Sequence, residues 1–255
     1  MELSRYLQRI GFEAKPEATK EVLVQLQKNH LLYIPFENLD IHYGTEIVLD
    51  PARIYTKIIL NKRGGFCYEL NSLFCALLTH IGFDTRLVSG KVHVEAERYG
   101  PEFDHMANVV QLESRLYLVD VGFGKFSWAP LEITPDLLQE DENGVFVIEK
   151  LNVVDYRVSR IEHSVKTPEY IFSLQERQLN EFEAMCRFHQ SSAESHFTKS
   201  KVVSIATAYG RITLNDASYK ITRDGHTETG VFEEGEFEEH LQQFFGMKIR
   251  KDVDY

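Results

Sequence analysis

The sequence contains few cysteines. Among its 255 residues there are three, Cys67, Cys75 and Cys186, and no two of them form a CxxC pair. An odd and scattered set does not build a disulfide framework, and a structural zinc site needs clustered Cys and His ligands. We therefore expect three reduced thiols and no bound metal.

Long apolar runs and an excess of positive charge are also absent. The N-terminal segment lacks the continuous apolar core of a signal peptide, and no later stretch approaches membrane-spanning length. The formal net charge is −11, whereas nucleic acids and anionic membranes attract clustered positive charge. We expect a cytoplasmic protein that binds neither nucleic acid nor membrane, and nothing implies a protein partner. A small phosphate-bearing ligand is compatible because it needs only a few local donors.

Apolar spacing divides the chain into three parts, which we place at residues 1–85, 86–195 and 196–255. Helical spacing covers residues 3–10, 17–32 and 66–81, with a further helix starting at Asp50-Pro51. Strand-like runs cover residues 87–94, 105–112, 115–121, 144–150 and 155–161; a helical pattern returns over 170–189, followed by a hairpin at 201–214 and a helix at 236–245. The order predicts an α+β protein with a helical first part and a central antiparallel sheet or barrel.

Cys67 is the residue on which a chemical function is most easily based. It lies in the segment RGGFCYELN, at the start of a predicted amphipathic helix that Gly82 ends. Backbone N–H groups and the helix dipole favour negative charge in a first turn, so we expect the pKa of Cys67 to be lowered. Gly64 and Gly65 allow a tight turn and a close approach to a substrate carbonyl. The other two cysteines lie in apolar helical stretches and are expected to be small buried hydrophobes.

A histidine and an aspartate on neighbouring strands can supply the rest of a triad. If Glu113-Ser114 forms a two-residue turn, Leu112 pairs with Arg115 and Asp120 lies opposite residue 107. His105 then shares a face with Asp120 as its diagonal neighbour. In such a triad Cys67 attacks, His105 moves the proton, and Asp120 orients the imidazole. Sequence spacing alone does not show that Cys67 reaches His105.

Four ordered motifs resemble those of the arylamine N-acetyltransferases, a family with bacterial members. RGGFCYELN resembles the family's cysteine motif, IPFENLDI its upstream motif, His105 begins its histidine strand, and VDVGFG carries its aspartate. The residues that match are Pro35, Phe36, Glu37, Asn38, Arg63, Gly64, Gly65, Cys67, Glu69, Asn71, His105 and Asp120. After residue 124 the resemblance is weaker and rests on SSAESHFTKSKVV and GRITL.

The resemblance implies a helical bundle, then a β-barrel, then an α/β lid, with a triad of the cysteine-protease type. It implies a ping-pong reaction in which acetyl moves from acetyl-coenzyme A to Cys67 and then to an arylamine, hydrazine or arylhydroxylamine. Acetyl-coenzyme A is a co-substrate in this reaction, and no permanently bound cofactor is implied.

Supporting roles follow from the same resemblance. Glu37 and Arg63 are expected to form an ion pair that fixes the Cys67 loop, Gly65 allows its turn, and Asn71 braces the site by hydrogen bonding. The backbone N–H of Cys67 is the expected oxyanion donor. Candidates for contacts with coenzyme A or the acceptor are Phe36, Gly122, Phe123, Gly124, Lys125, Thr198 and Lys199.

Two other enzyme classes and one non-enzymatic role use the same residues. A thiol hydrolase or transglutaminase-like enzyme passes the acyl group to water or lysine, and an amide synthase closes an amide on a polyketide chain. A binding module that retains an inactive triad is the third alternative. The rate of Cys67 alkylation and the turnover of acetyl-coenzyme A discriminate among them.

Overall fold

The structure is a computed structural model that describes residues 1–249; residues 250–255, which end the predicted 196–255 segment, lie outside the described part. It confirms the α+β class, with helices first and antiparallel sheets after them. The helices are α1 (Leu3–Arg9), α2 (Lys20–Tyr33), α3 (Leu39–Tyr43), α4 (Pro51–Tyr55), α5 (Cys67–Ile81), α6 (Glu183–Ser191) and α7 (Phe237–Phe245). A π-helical turn covers Thr56–Leu60, and 3₁₀ turns cover Leu179–Phe182, His196–Thr198 and Glu234–Glu236.

The helix boundaries follow from local chemistry. Asp50 caps α4 by accepting hydrogen bonds from the N–H groups of Ala52 at 3.0 Å and Arg53 at 2.9 Å, and Pro51 occupies the first helical position. Helix α5 ends at Gly82, whose φ of 108° is open to glycine and costly for other residues. The start of α4 and the end of α5 are both where the sequence predicted them.

The central strands form one antiparallel sheet in the order β6-β5-β4-β2-β10-β9-β8-β7, with β3 paired to β2. They are β2 (Asp84–Glu95), β3 (Arg98–Tyr99), β4 (His105–Leu112), β5 (Arg115–Val119), β6 (Leu131–Glu132), β7 (Leu138–Asp141), β8 (Gly144–Lys150), β9 (Asp155–Glu162) and β10 (Val165–Ser173). Side chains from both halves of this sheet, such as Leu118 and Phe146, pack in one core. The sheet therefore curls into a nearly closed barrel.

A second antiparallel sheet has the order β1-β11-β12-β13-β14. Its strands are β1 (Phe36–Glu37), β11 (Val202–Thr207), β12 (Gly210–Asn215), β13 (Ser218–Arg223) and β14 (His226–Val231). Strands β11 and β12 are the predicted hairpin, and α7 is the predicted last helix. Val203 and Leu214 from the sheet pack with Phe237 and Leu241 from α7.

The helix predicted over residues 170–189 is wrong in its first half. Tyr170 lies in β10, where it pairs with Val92 of β2 and Val158 of β9, and α6 begins only at Glu183. Tyr170 and Phe172 are both buried and alternate with a half-buried Ile171, which is the period of a strand. Short apolar runs fit both periods, and here long-range strand pairing decides.

Internal contacts group the chain into two compact units. One comprises Met1–Glu13, Asn29–Leu70 and Glu183–Tyr255, of which only residues up to 249 are described, and the other comprises Ala14–Lys28 and Asn71–Phe182. The three-part division at residues 85 and 195 stays a prediction. Within residues 1–249, none of the helices is long and apolar enough to cross a bilayer.

Burial of His30 makes the fold sensitive to acid. The imidazole is fully buried, its Nδ1 lies 3.0 Å from the Tyr6 hydroxyl, and burial together with Arg9 lowers the pKa of His30 from 6.5 to about 3. Between these values the unfolded chain binds a proton that the folded chain does not, so the free energy of unfolding falls by about 1.4 kcal/mol per pH unit as pH decreases.

We therefore predict that His30→Gln, which keeps an acceptor for Tyr6, loses less stability on acidification than the wild type. Between pH 7 and pH 5, the wild type should lose about 2 kcal/mol more of its free energy of unfolding than His30→Gln does. Urea unfolding at both pH values measures it, with the exposed His80→Gln as control. An equal loss in wild type and His30→Gln would contradict the assignment.

Candidate active site

Cys67 is the first residue of α5 and is buried, with 4% of its surface exposed. The turn before it is built against the IPFENL segment. The Glu37 N–H donates to the Gly65 carbonyl at 2.9 Å, and the Gly65 N–H donates to the Pro35 carbonyl at 3.3 Å. The two motifs are thus joined by backbone hydrogen bonds, which fixes where the helix that carries Cys67 begins.

Gly64 is required at this junction because a Cβ atom there would overlap the Pro35 carbonyl oxygen. We predict that Gly64→Ala destabilises the protein by about 1–3 kcal/mol, the usual cost of forcing extra volume into a packed region. Gly235→Ala is the matched control, since a Cβ at Gly235 meets nothing within 4 Å. Thermal unfolding measures both variants, and equal midpoints would refute a steric role for Gly64.

The predicted ion pair between Glu37 and Arg63 is present and fully buried. Arg63 Nε lies 2.9 Å from Glu37 Oε1, and its terminal nitrogen lies 2.8 Å from Asp40 Oδ1. Lys57 completes the network, with Nζ 2.7 Å from Asp40 and 2.8 Å from Glu69. Burial alone would raise the pKa of Asp40, but Lys57 and Arg63 lower it below its usual value.

His105 and Asp120 form the second part of the candidate site. His105 Nε2 lies 2.7 Å from Asp120 Oδ2, and both side chains are buried. Strands β4 and β5 pair in the predicted register, with Leu112 opposite Arg115. Because a carboxylate can only accept, Nε2 carries the hydrogen, which leaves Nδ1 of the neutral ring as the basic nitrogen.

Asp120 is held by four donors. Besides His105, the Tyr170 hydroxyl donates to Oδ2 at 2.9 Å, while Asn71 Nδ2 and the Gly122 N–H donate to Oδ1, each at 2.9 Å. Burial alone would raise the pKa of Asp120, but His105 and the hydrogen bonds from Asn71 and the Gly122 N–H lower it below its usual value. The carboxylate therefore stays ionised and can stabilise an imidazolium.

Asn71 makes the bracing contacts that the sequence predicted for it. Its amide nitrogen also donates to the Met106 carbonyl at 2.6 Å, and its oxygen accepts from the Val121 N–H and from Asn108 Nδ2, each at 3.1 Å. The side chain thus ties α5 to the β4 strand and to the residues that follow Asp120. A buried amide with every hydrogen bond made is well suited to hold a carboxylate in place.

Comparisons with known proteins identify the family. A family model described as N-acetyltransferase matches residues 19–253. The arylamine N-acetyltransferase pineal gland isozyme NAT-3 of Gallus gallus is 31% identical over 98% of this chain and 96% of its own length. The chain belongs to the arylamine N-acetyltransferase family. Its membership makes it an acyltransferase, as the motifs predicted.

Solved arylamine N-acetyltransferases share the fold. The enzyme from Mycobacterium abscessus is 27% identical with a TM-score of 0.89, covering 98% of this chain and 91% of that one. The enzyme from Salmonella typhimurium is 28% identical with a TM-score of 0.89, covering 96% and 90%. The likeness extends over almost the whole chain, including the part after residue 124 where the motifs are weak.

The residues predicted to contact coenzyme A or the acceptor in this arylamine N-acetyltransferase family member lie in different surroundings. Phe36 packs on Phe66, the neighbour of Cys67, with ring centroids 5.8 Å apart, and Phe123 packs edge-on to His105 at 5.1 Å. The Thr198 hydroxyl donates to the Ser192 and Ser195 carbonyls at 2.9 Å. Gly122 is buried, whereas Gly124, Lys125 and Lys199 are exposed. Phe123 thus contacts His105 and the Gly122 N–H binds Asp120, whereas Phe36 lies one residue away from Cys67 through its contact with Phe66.

Sequence reasoning missed several residues of the site. Tyr170 was assigned to a helix, and Lys57, Asp40 and Asn108 were given no role. Lys57 stands next to Ile58 and Ile59 in the helical segment that starts at Asp50-Pro51, and this apolar setting is the one indication in the sequence of a buried ion network. The two remaining cysteines are as expected: burial raises the pKa of Cys186 to about 12 and also raises the pKa of the half-buried Cys75.

Proposed function

We propose that this protein transfers acetyl from acetyl-coenzyme A to arylamines, hydrazines or arylhydroxylamines through a thioester on Cys67. The observation that carries the proposal is the buried His105–Asp120 pair, with Nε2 committed to the carboxylate. Family membership supplies the reaction class, and Cys67 is a buried cysteine outside any disulfide at a helix N-terminus. A Cys-His-Asp set with these roles performs acyl transfer by nucleophilic catalysis.

The proposed first half-reaction acetylates the enzyme. His105 Nδ1 takes the proton from the Cys67 thiol, the sulfur attacks the thioester carbonyl, and the backbone N–H of Cys67 stabilises the oxyanion. Collapse of the tetrahedral intermediate breaks the bond to the coenzyme A sulfur, which leaves with the proton from His105. In the second half-reaction the amine attacks acetyl-Cys67, and His105 returns the amine's proton to the departing Cys67 sulfur.

Substrate contacts are assigned on chemical grounds. Phe36 and Phe123 offer aromatic faces to an aromatic acceptor, and the bare backbone of Gly122 and Gly124 permits close approach of a ligand. The exposed Lys125 and Lys199, with Thr198 beside the latter, are candidates for the phosphates of coenzyme A. The coenzyme comes and goes as a co-substrate, and three cysteines outside any disulfide support a reducing compartment such as the cytoplasm.

Mass spectrometry of the intact protein after brief incubation with acetyl-coenzyme A alone tests the proposal. We expect one acetyl group on Cys67 by peptide mapping, its loss on addition of 4-aminosalicylate, and no adduct in Cys67→Ala. Absence of an adduct, with no coenzyme A released even when amine is present, would overturn the proposal. Such a result would favour an amide synthase or a thiol hydrolase.

A further inference from the structure

Glu69 reaches back across the first turn of α5 to the residue before Cys67. Its Oε2 atom accepts a hydrogen bond from the Phe66 N–H at 2.8 Å, and the Phe66 carbonyl accepts from the Leu70 N–H at 2.9 Å. A glutamate at the third helical position that binds the N-cap N–H is half of a capping box. Both backbone polar groups of Phe66 are therefore fixed.

The Glu69 carboxylate is itself held by Lys57. Lys57 Nζ lies 2.9 Å from Oε1 and 2.8 Å from Oε2, and a third contact of 2.7 Å joins it to Asp40 Oδ2. Each of these side chains is less than a tenth exposed. Oε2 thus receives the ammonium and the Phe66 N–H together, so the carboxylate has little freedom to rotate away from the backbone.

We propose that Glu69 is a positioning residue for acetyl transfer: it holds the Gly65–Phe66 peptide through the Phe66 N–H and, together with the hydrogen bond from Leu70 to the Phe66 carbonyl, sets the direction of the Cys67 N–H. The inference rests on the proposed function, in which that N–H stabilises the oxyanion. The Phe66 N–H lies in the peptide plane before Phe66, and the Phe66 carbonyl lies with the Cys67 N–H in the plane after it. Because each peptide is planar, holding both planes restricts rotation about the two backbone bonds of Phe66 and so fixes the orientation of the Cys67 N–H. An oxyanion donor acts only when it points at the developing charge.

The reaction of Cys67 with iodoacetamide separates orientation of the N–H from placement of the sulfur. Alkylation displaces iodide from a saturated carbon and forms no oxyanion, whereas acetylation by acetyl-coenzyme A does. A residue that orients the N–H changes the acetylation rate alone. A residue that merely keeps the turn folded changes both rates.

Two conservative variants form a matched pair. Glu69→Gln removes the charge but keeps an oxygen that can accept from the Phe66 N–H. Lys57 keeps its ion pair with Asp40 in this variant. Glu69→Asp keeps the charge but withdraws it from the backbone by one methylene. We expect Glu69→Asp to slow single-turnover acetylation of Cys67 by about 10- to 100-fold. Its alkylation rate, and both rates of Glu69→Gln, should stay within about 3-fold of wild type.

The outcomes are distinguishable. Slower acetylation in Glu69→Gln together with a wild-type rate in Glu69→Asp would show that charge matters and the hydrogen bond does not, and parallel loss of acetylation and alkylation in Glu69→Asp would show a structural role; either result overturns the inference. If Glu69→Asp does not fold by thermal melting, Lys57→Gln replaces it. With the carboxylate then released from Lys57, slower acetylation with unchanged alkylation supports the inference, and unchanged acetylation or parallel loss overturns it. If Cys67 of the wild type is alkylated by iodoacetamide but is never acetylated by acetyl-coenzyme A, the proposed function is overturned instead.

Discussion

Replacing Arg63 by Met is expected to destabilise the protein by about 3–5 kcal/mol, the cost of leaving buried charges without their partner. Arg63 is 2% exposed and is the one cation in direct contact with Glu37 among the described residues, since Lys57 lies 3.9 Å away from that carboxylate. Its loss leaves Glu37 with the more distant Lys57 and removes one of the two cations beside Asp40 in a buried network. Denaturant unfolding at neutral pH measures the effect.

Arg115→Met is the matched control for Arg63→Met. Arg115 also pairs with a glutamate, Glu132 at 2.9 Å, but its side chain is 60% exposed. An exposed pair contributes little to stability because water screens it. The Arg63 variant should also acetylate Cys67 more slowly, since Arg63 begins the RGGFC turn. Wild-type stability together with a wild-type acetylation rate in Arg63→Met would refute the role assigned to this ion pair.

The pairing of β4 with β5, which brings His105 next to Asp120, could be predicted because a two-residue connection fixes the register of both strands. Counting from Glu113-Ser114 predicts that Asn108 lies opposite Val119, and the structure shows that pairing. A strand period of two then decides which side chains share a face. Local counting is sufficient when both residues belong to one hairpin.

Tyr170 could not be found in this way. It reaches Asp120 because β10 pairs with β2, with Tyr170 opposite Val92, and these strands are far apart in the chain. Its apolar neighbours are compatible with a helix or a strand until that pairing is known. Long-range pairing is set by the packing of the whole barrel, which no local pattern encodes.

The charge network around Cys67 was predictable only in part. Glu37 and Arg63 lie in recognisable motifs, so their pairing could be expected. Lys57 looks like a solvated lysine at the edge of an apolar stripe, and only the folded chain surrounds it with Asp40 and Glu69. Burial converts an ordinary surface charge into an ion that needs every partner it has.

Asp120→Asn is expected to lower the rate of acetyl transfer by about 10⁴-fold, as removal of the carboxylate does in triads of this type. All four neighbours of the carboxylate donate hydrogen bonds to it, two at each oxygen. An amide has one acceptor end. If its nitrogen faces His105, it donates to Nε2 and moves the ring hydrogen to Nδ1, which then cannot accept the Cys67 proton.

The other orientation of the amide is no better. If the nitrogen faces Asn71 and the Gly122 N–H, it meets two donors, and the buried conflict costs stability without restoring the anion that stabilises the imidazolium. Asp141→Asn is the matched control, because Asp141 Oδ2 also accepts three hydrogen bonds, from Ser127 Oγ and the Trp128 and Ala129 N–H groups. We expect Asp141→Asn to lose stability but to acetylate within about 3-fold of wild type, since no reacting group depends on Asp141. Single-turnover acetylation followed by intact-mass measurement compares the two variants, and similar rates for both would remove Asp120 from the mechanism.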